Sequence, residues 1–172
     1  MIKMAQELIN KGVTSVLALT DTECCNEHNP PDGAPIQIAI GHQLNNFNVI
    51  VHYINVEELI DSILALIDTY GKWSIRISKI HNITPEMTKN GIPISQFPKH
   101  FINYITVNGM FKEIYICGWN ISYDKSKLLP VLEKYSKDLL KDIKIYWIDV
   151  QYLFDKVPLK TRDDQVITSS RK

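Results

Sequence analysis

Apolar and polar positions change period several times along the chain, and each change marks an element. Residues 2–11 fit a short helix, and Val13–Thr20 then gathers apolar residues as a buried strand does. Asn26–Ala34 is dense in turn residues, Asn-Pro-Pro-Asp-Gly among them, and predicts a loop. Pro35–Gly41 alternates as a second strand, Leu44–Phe47 suits a hairpin-type connection, and Asn48–Ile54 is a third strand. Three consecutive strands with short connections predict an antiparallel meander. Val56, Leu59, Ile60, Ile63, Leu64, Ile67 and Tyr70 then recur at helical spacing, and Gly71 is a plausible stop.

Ser74–Ile80 alternates again over too short a stretch to assign. Thr84-Pro85 signals a helical turn. Ser95–Val107 predicts a helix with Phe97, Phe101, Ile102 and Ile105 inward, and Pro98 is tolerated in its first turn. Glu113–Gly118 is a buried strand that runs into Trp119-Asn120. Asp124–Lys141 is the longest expected helix, with Leu128, Leu129, Leu132, Tyr135 and Leu139 on one stripe and a bend at Pro130. Ile143–Ile148 is the last strand, ending at Asp149, and Gln151–Lys156 is a short helix. After Pro158 the chain turns polar and reads as an unpacked tail. A mixed sheet with helices on its faces is the economical packing for this order.

Composition narrows the class without naming a chemistry. With 172 residues, 45% hydrophobic and 22% charged, the chain has the make-up of one globular domain with a sizeable core. Its formal charge of zero gives no support to a broad electrostatic nucleic-acid binder, though a site gripping a few nucleotides is compatible with it. Cys24, Cys25 and Cys117 make neither a disulfide framework nor a zinc-type spacing. Reduced thiols, an N-terminus without the apolar core of a signal peptide, and no membrane-length apolar run predict an intracellular protein, cytoplasmic or nuclear, with no membrane partner.

The candidate chemistry starts at Asp21-Thr22-Glu23. Side chains at i and i+2 of a strand share a face, and a rise of about 3.3 Å per residue brings two such carboxylates within reach of one small cation. The ordinary alternative is a strand that ends in a solvated acidic turn. Asp124 and Asp149 also lie at or just beyond strand ends, so some of these acids can converge if the strands are neighbours. Each has an ordinary role too: Asp124 could cap the long helix, and Asp149 suits a cap for the short one.

Five segments in order resemble the DnaQ-like 3'-to-5' exonucleases, the DEDD group of the RNase H-like fold. Asp21-Thr-Glu23 resembles their first motif, and Pro35-Ile-Gln-Ile-Ala the strand that follows it. Ile80-His-Asn-Ile-Thr-Pro-Glu-Met87 resembles their His-Gly-Ile-Thr segment. Trp119-Asn-Ile-Ser-Tyr-Asp124-Lys-Ser-Lys-Leu-Leu129 resembles the second motif, and Trp147-Ile-Asp149-Val the strand before the third.

The resemblance implies an RNase H-like α/β fold in which a three-strand antiparallel meander and further strands form a mixed sheet flanked by helices. It implies hydrolysis of phosphodiester bonds at the 3' ends of single-stranded or frayed DNA or RNA, with Mg2+ or Mn2+ in a two-metal site. By resemblance Asp21 would bridge both ions, Glu23 would hold the one beside the nucleophile, and Asp124 would hold the other, directly or through water. His81 would stand beside the terminal nucleotide, with Ile83 and Met87 as apolar contacts to its base. Cys24 would lie where the backbone meets that nucleotide, Thr22 would also be a substrate-binding residue, and Asn120 would orient the turn before Asp124.

The family's third motif, His or Tyr followed a few residues later by Asp, supplies the general base and the last ligand. No such motif follows Asp149: every histidine precedes Asp124, and Tyr152 with Asp155 is one residue short of the Tyr form. Residues 1–157 therefore read as an exonuclease-like domain incomplete at its C-terminal side, with 158–172 as a polar tail. Three explanations stand open: truncation, a non-catalytic nucleic-acid- or protein-binding module on the same fold, or a substitute base such as His81.

Overall fold

The computed structural model describes residues 1–25, 33–56, 79–156, 159–160 and 166–167. The helix expected over residues 56–70, most of the undecided segment at 74–80 and most of the loop at 26–34 fall outside them.

β1 (Ser15–Cys24) is the strand around which the rest is built. It pairs antiparallel with β2 (Pro35–His42), which pairs antiparallel with β3 (Ile50–Asn55), so the meander is present. A 3-10 turn at Gln43–Asn45 makes the β2–β3 connection, closed by His42 Nδ1 accepting from the Leu44 N–H at 3.0 Å. On its other side β1 pairs parallel with β5 (Glu113–Gly118), and β5 pairs parallel with β6 (Lys144–Asp149). A two-residue strand, β4 (Ile92–Pro93), adds parallel to β3, and the sheet order is β4-β3-β2-β1-β5-β6. β4 was not legible in the sequence: it is an edge strand of two residues, the kind of place where proline is tolerated.

The helices are α1 (Ile2–Asn10), α2 (Pro85–Thr88), α3 (Phe97–Ile105), α4 (Ile121–Leu140) and α5 (Val150–Lys156). Parallel β5 and β6 need a crossover, and α4 supplies it. α3 and α4 pack on each other, and α4 lies against β1, β5 and β6. Burial along β1 alternates strictly, with Val16, Ala18, Thr20, Thr22 and Cys24 buried. Val16 and Ala18 face Ile114 and Ile116 across the parallel ladder, and Leu128, Val131 and Leu132 of α4 join the same core. Phe97, Phe101, Ile102 and Ile105 of α3 are buried as expected. The opposite face of the sheet carries Leu19, Asp21 and Glu23 on β1 and the stacked rings of Tyr115 and Tyr146, 4.9 Å apart.

Three expectations for the long helix are corrected. It begins at Ile121, so Asp124 stands in the first turn rather than at the cap, and Asn120 holds the cap position. Its backbone break falls at Ser136 (φ −145°, ψ 31°), not at Pro130. Leu139, beyond that break, is 42% exposed and leaves the apolar stripe. Within the segment read as a tail, Leu159–Lys160 (β7) pairs antiparallel with Val166–Ile167 (β8), a ladder separate from the main sheet. Among the described residues, no helix is long and apolar enough to cross a membrane.

Candidate active site

β1 outruns its neighbour. It pairs with β2 as far as Cys24, but its pairing with β5 ends at Leu19↔Cys117. Asp21 and Glu23 therefore lie inside the strand, not in a turn after it, along an edge that β5 has left. β5 ends at Gly118 and the chain turns through Trp119 and Asn120. Asn120 adopts a left-handed conformation (φ 53°), for which asparagine is among the better suited residues. Its carbonyl accepts from the Tyr123 N–H at 2.9 Å, while its side chain makes no cap. The first turn of α4 is thus delivered to the open edge of β1, with Asp124 on its inner side.

Gly118 makes this approach possible. A Cβ there would stand 2.6 Å from Ile121 Cδ1 and 2.8 Å from the Thr20 carbonyl oxygen, so the close passage of β5 and α4 beside β1 requires glycine.

Asp124 is 3% exposed. Burial, which disfavours the charged form, raises its pKa from 3.8 to about 6; Thr22 beside it pulls the value down, and the charge of Asp21 pushes it up. The carboxyl group takes hydrogen-bonding support from the Thr22 side chain and from the backbone of Thr22 and Asp124, yet neither Thr22 Oγ1 nor Asp124 Oδ1 completes a well-formed hydrogen bond. Both are buried without a partner, as is Thr20 Oγ1. A buried polar atom in that state costs about 1–3 kcal/mol.

Glu23 is half-buried, and its pKa is raised by burial and then by Asp21, while His81 draws it down. His81 Nδ1 accepts from the Ile83 N–H at 2.9 Å, which leaves the proton on Nε2, and Nε2 lies 3.2 Å from the Cys24 carbonyl oxygen it donates to. Both ring nitrogens are engaged. His81 pins the 81–83 turn to the end of β1, and its basic nitrogen is not free to take a proton from water. The structure thus argues against His81 as a substitute base.

Two residues of this site escaped the sequence reading. Lys127 is 2% exposed, its Nζ 5.3 Å above the Tyr123 ring centre; burial lowers its pKa, and Cys24 and Cys25 hold it up. The Tyr123 hydroxyl hydrogen-bonds the Cys24 sulfur, and burial pushes the Cys24 thiol up to about 12, so the thiol stays protonated and unreactive. A signal for Lys127 existed. Asp124, Lys127, Leu128 and Val131 follow the i, i+3, i+4, i+7 rule, which sets the acid and the lysine on the buried stripe.

The structure brings Asp21, Glu23 and Asp124 into one electrostatic neighbourhood and separates others from it. Thr22 and Cys24 point to the buried face, and Ile83 is 2% exposed in the core, so these side chains are not presented to a nucleotide. Met87 is 42% exposed. Asp149 caps α5, its Oδ1 accepting from the Gln151 N–H at 2.9 Å. All-oxygen donors, the pKa values of Glu23 and Asp124 raised by burial and then by the charge of Asp21, and the orphaned Asp124 Oδ1 suit a hard divalent cation. The set is not closed, however: among the described residues, no group of three or more His, Cys, Asp or Glu is arranged to hold a metal ion.

No family model matches the chain, and no curated protein matches it. Solved structures do. One, described as 3'-end specific recognition of histone mRNA stem-loop by 3'-exonuclease, superposes with a TM-score of 0.53 at 19% identity over 91% of this chain. This chain spans 56% of that one. At such identity the likeness shows architecture alone: the chain has a mixed α/β fold of RNase H-like architecture, similar to that of the solved 3'-exonuclease.

Proposed function

We propose that this chain is a DnaQ-like nuclease domain, residues 1–157, that hydrolyses phosphodiester bonds at the 3' end of single-stranded or frayed DNA or RNA. The observation that carries the reading is Asp124: a buried carboxylate with an orphaned oxygen, raised pKa and Asp21 as its electrostatic neighbour. Such an arrangement is costly unless a cation is meant to relieve it. Asp21, Glu23 and Asp124 would hold Mg2+ or Mn2+, which when bound stabilises charge on the attacking and leaving oxygens and makes hydroxide available near neutral pH.

The chain's own residues supply position and charge. Asp21 and Glu23 share one face of β1, and the open edge beyond β5 lets a strand end come alongside them. Asp124 must be ionised to act as a ligand, which puts working pH above about 6. With both ring nitrogens of His81 engaged and no third-motif base after Asp149, and with loss of general-base catalysis alone costing about 100-fold or more, slow turnover is expected. A second reading, a non-catalytic binding module for nucleic acid or protein, is favoured by the engaged ring of His81 and the unclosed ligand set.

The two separate on a gel. With 5'-labelled single-stranded DNA and RNA oligonucleotides, the parent chain should give a 3'-shortening ladder in magnesium or manganese, none in EDTA, and at least 100-fold less with Asp21→Ala. Intact oligonucleotide in every lane would reject the nuclease reading and leave the binding module.

A further inference from the structure

A groove of about 730 Å³ runs between α3 and the distal half of α4, where the helix backbone breaks at Ser136. Lys99, Lys134 and Lys137 line it, all exposed, together with the amides of Gln96 and Asn103. Its one acid, Asp138, is already paired with Lys141 at 2.7 Å. Lys134 sits 4.9 Å over the Tyr135 ring, an arrangement that also offers an aromatic face. At His100 and Asn103 the groove meets a second of about 780 Å³, bordered by Lys3 and Asn108. In a chain of zero net charge this is a local concentration of positive charge, amide donors and an aromatic ring.

We propose that this groove holds the phosphodiester backbone of a nucleic acid strand, at a distance from the carboxylates. The choice of nucleic acid over other polyanions rests on the nuclease reading above. Geometry agrees with one continuous strand. Lys134 follows Asp124 by 10 residues within the unbroken part of α4, roughly 15 Å at 1.5 Å per residue, or about four nucleotides at 3.4 Å each, and Lys137 lies just beyond the break. A strand whose 3' end lies at Asp21 and Asp124 would carry its upstream phosphates along α4 to these lysines. The contacts are to backbone, so the groove confers length dependence rather than sequence preference.

The test is fluorescence anisotropy with a 5'-labelled 20-nucleotide single strand in EDTA, which reads binding without turnover. K99E/K134E/K137E in the full chain should weaken binding at least tenfold and make the log–log salt dependence shallower by about 2, three phosphates at roughly 0.7 each. K11E/K112E reverses two charges outside the groove and should stay within twofold of the parent. Four results would overturn the proposal: no binding by the parent, an effect of the groove variant below twofold, an equal loss in the control variant, or equally tight binding of polyglutamate. Failure of the groove and failure of the nuclease reading are distinct. An Asp21-dependent ladder with lysine-independent binding removes only the groove, whereas lysine-dependent binding without a ladder removes only the nuclease.

Discussion

Asp124→Asn is expected to stabilise the chain at pH 7.5 and to flatten its stability profile between about pH 4 and pH 7. The folded-state pKa of Asp124 is raised, from 3.8 to about 6. A carboxylate so shifted favours folding while protonated: its contribution is full below about pH 4, declines as pH rises through 6, and is gone above 7. The shift corresponds to roughly 3 kcal/mol between the two protonation states. An amide removes the charge but keeps one buried polar group, which takes back part of the gain. At about 2–4 °C per kcal/mol for a chain of this size, the melting temperature at pH 7.5 should rise by about 5 °C. Glu23, also raised, acts in the same direction, so a shallower slope remains in the variant. Thermal melts of parent and variant from pH 4 to 8 decide it; a lower melting temperature with an unchanged slope would mean that the carboxylate is satisfied in the fold.

Gly118→Ala should do the reverse, and at two levels. The added methyl group meets the Thr20 carbonyl at 2.8 Å and Ile121 Cδ1 at 2.6 Å. The isoleucine methyl can turn aside, but the backbone oxygen of a central strand cannot. Overpacking of this sort costs about 1–3 kcal/mol, so the melting temperature should fall by several degrees. Because the shift separates the start of α4 from β1, it also opens Asp124 to water. The variant should therefore lose most of the acid-side gain in stability that the parent shows. A melting temperature within a degree of the parent's would mean that α4 does not depend on this approach.

The sheet was legible because its information is local. Alternation in residues 35–41 and 113–118 and short connections in 43–49 specify strands and a meander without reference to distant parts of the chain. The spacing of Asp21 and Glu23 placed both on one face for the same reason. What the sequence hid depends on pairing between remote segments. That β1 runs on past the end of β5 follows from where the parallel ladder stops, and no pattern within residues 15–24 records it. The acids therefore sit along a strand edge rather than in a turn. His81 shows the same limit: its partner is a backbone carbonyl 57 residues away, and that contact, invisible to motif matching, occupies its Nε2. Asp124 as a cap was a reasonable reading of an Asp before a long helix. The left-handed Asn120 starts the helix a turn earlier and makes the acid a buried side chain. Proline drew the expected bend to position 130, whereas Ser136, with no such signature, carries the break.

The most direct measurement is calorimetric titration of manganese into the parent and into Asp124→Asn at pH 6, in two buffers of different ionisation enthalpy. Near that pH about half of the Asp124 side chains carry a proton, which a cation must displace. If Asp124 is the cation-holding group, the parent will bind with a buffer-dependent heat that reports proton release, and the variant will bind at least tenfold more weakly. Equal binding by both chains, or binding by the parent with no buffer dependence, would contradict a cation site at Asp124.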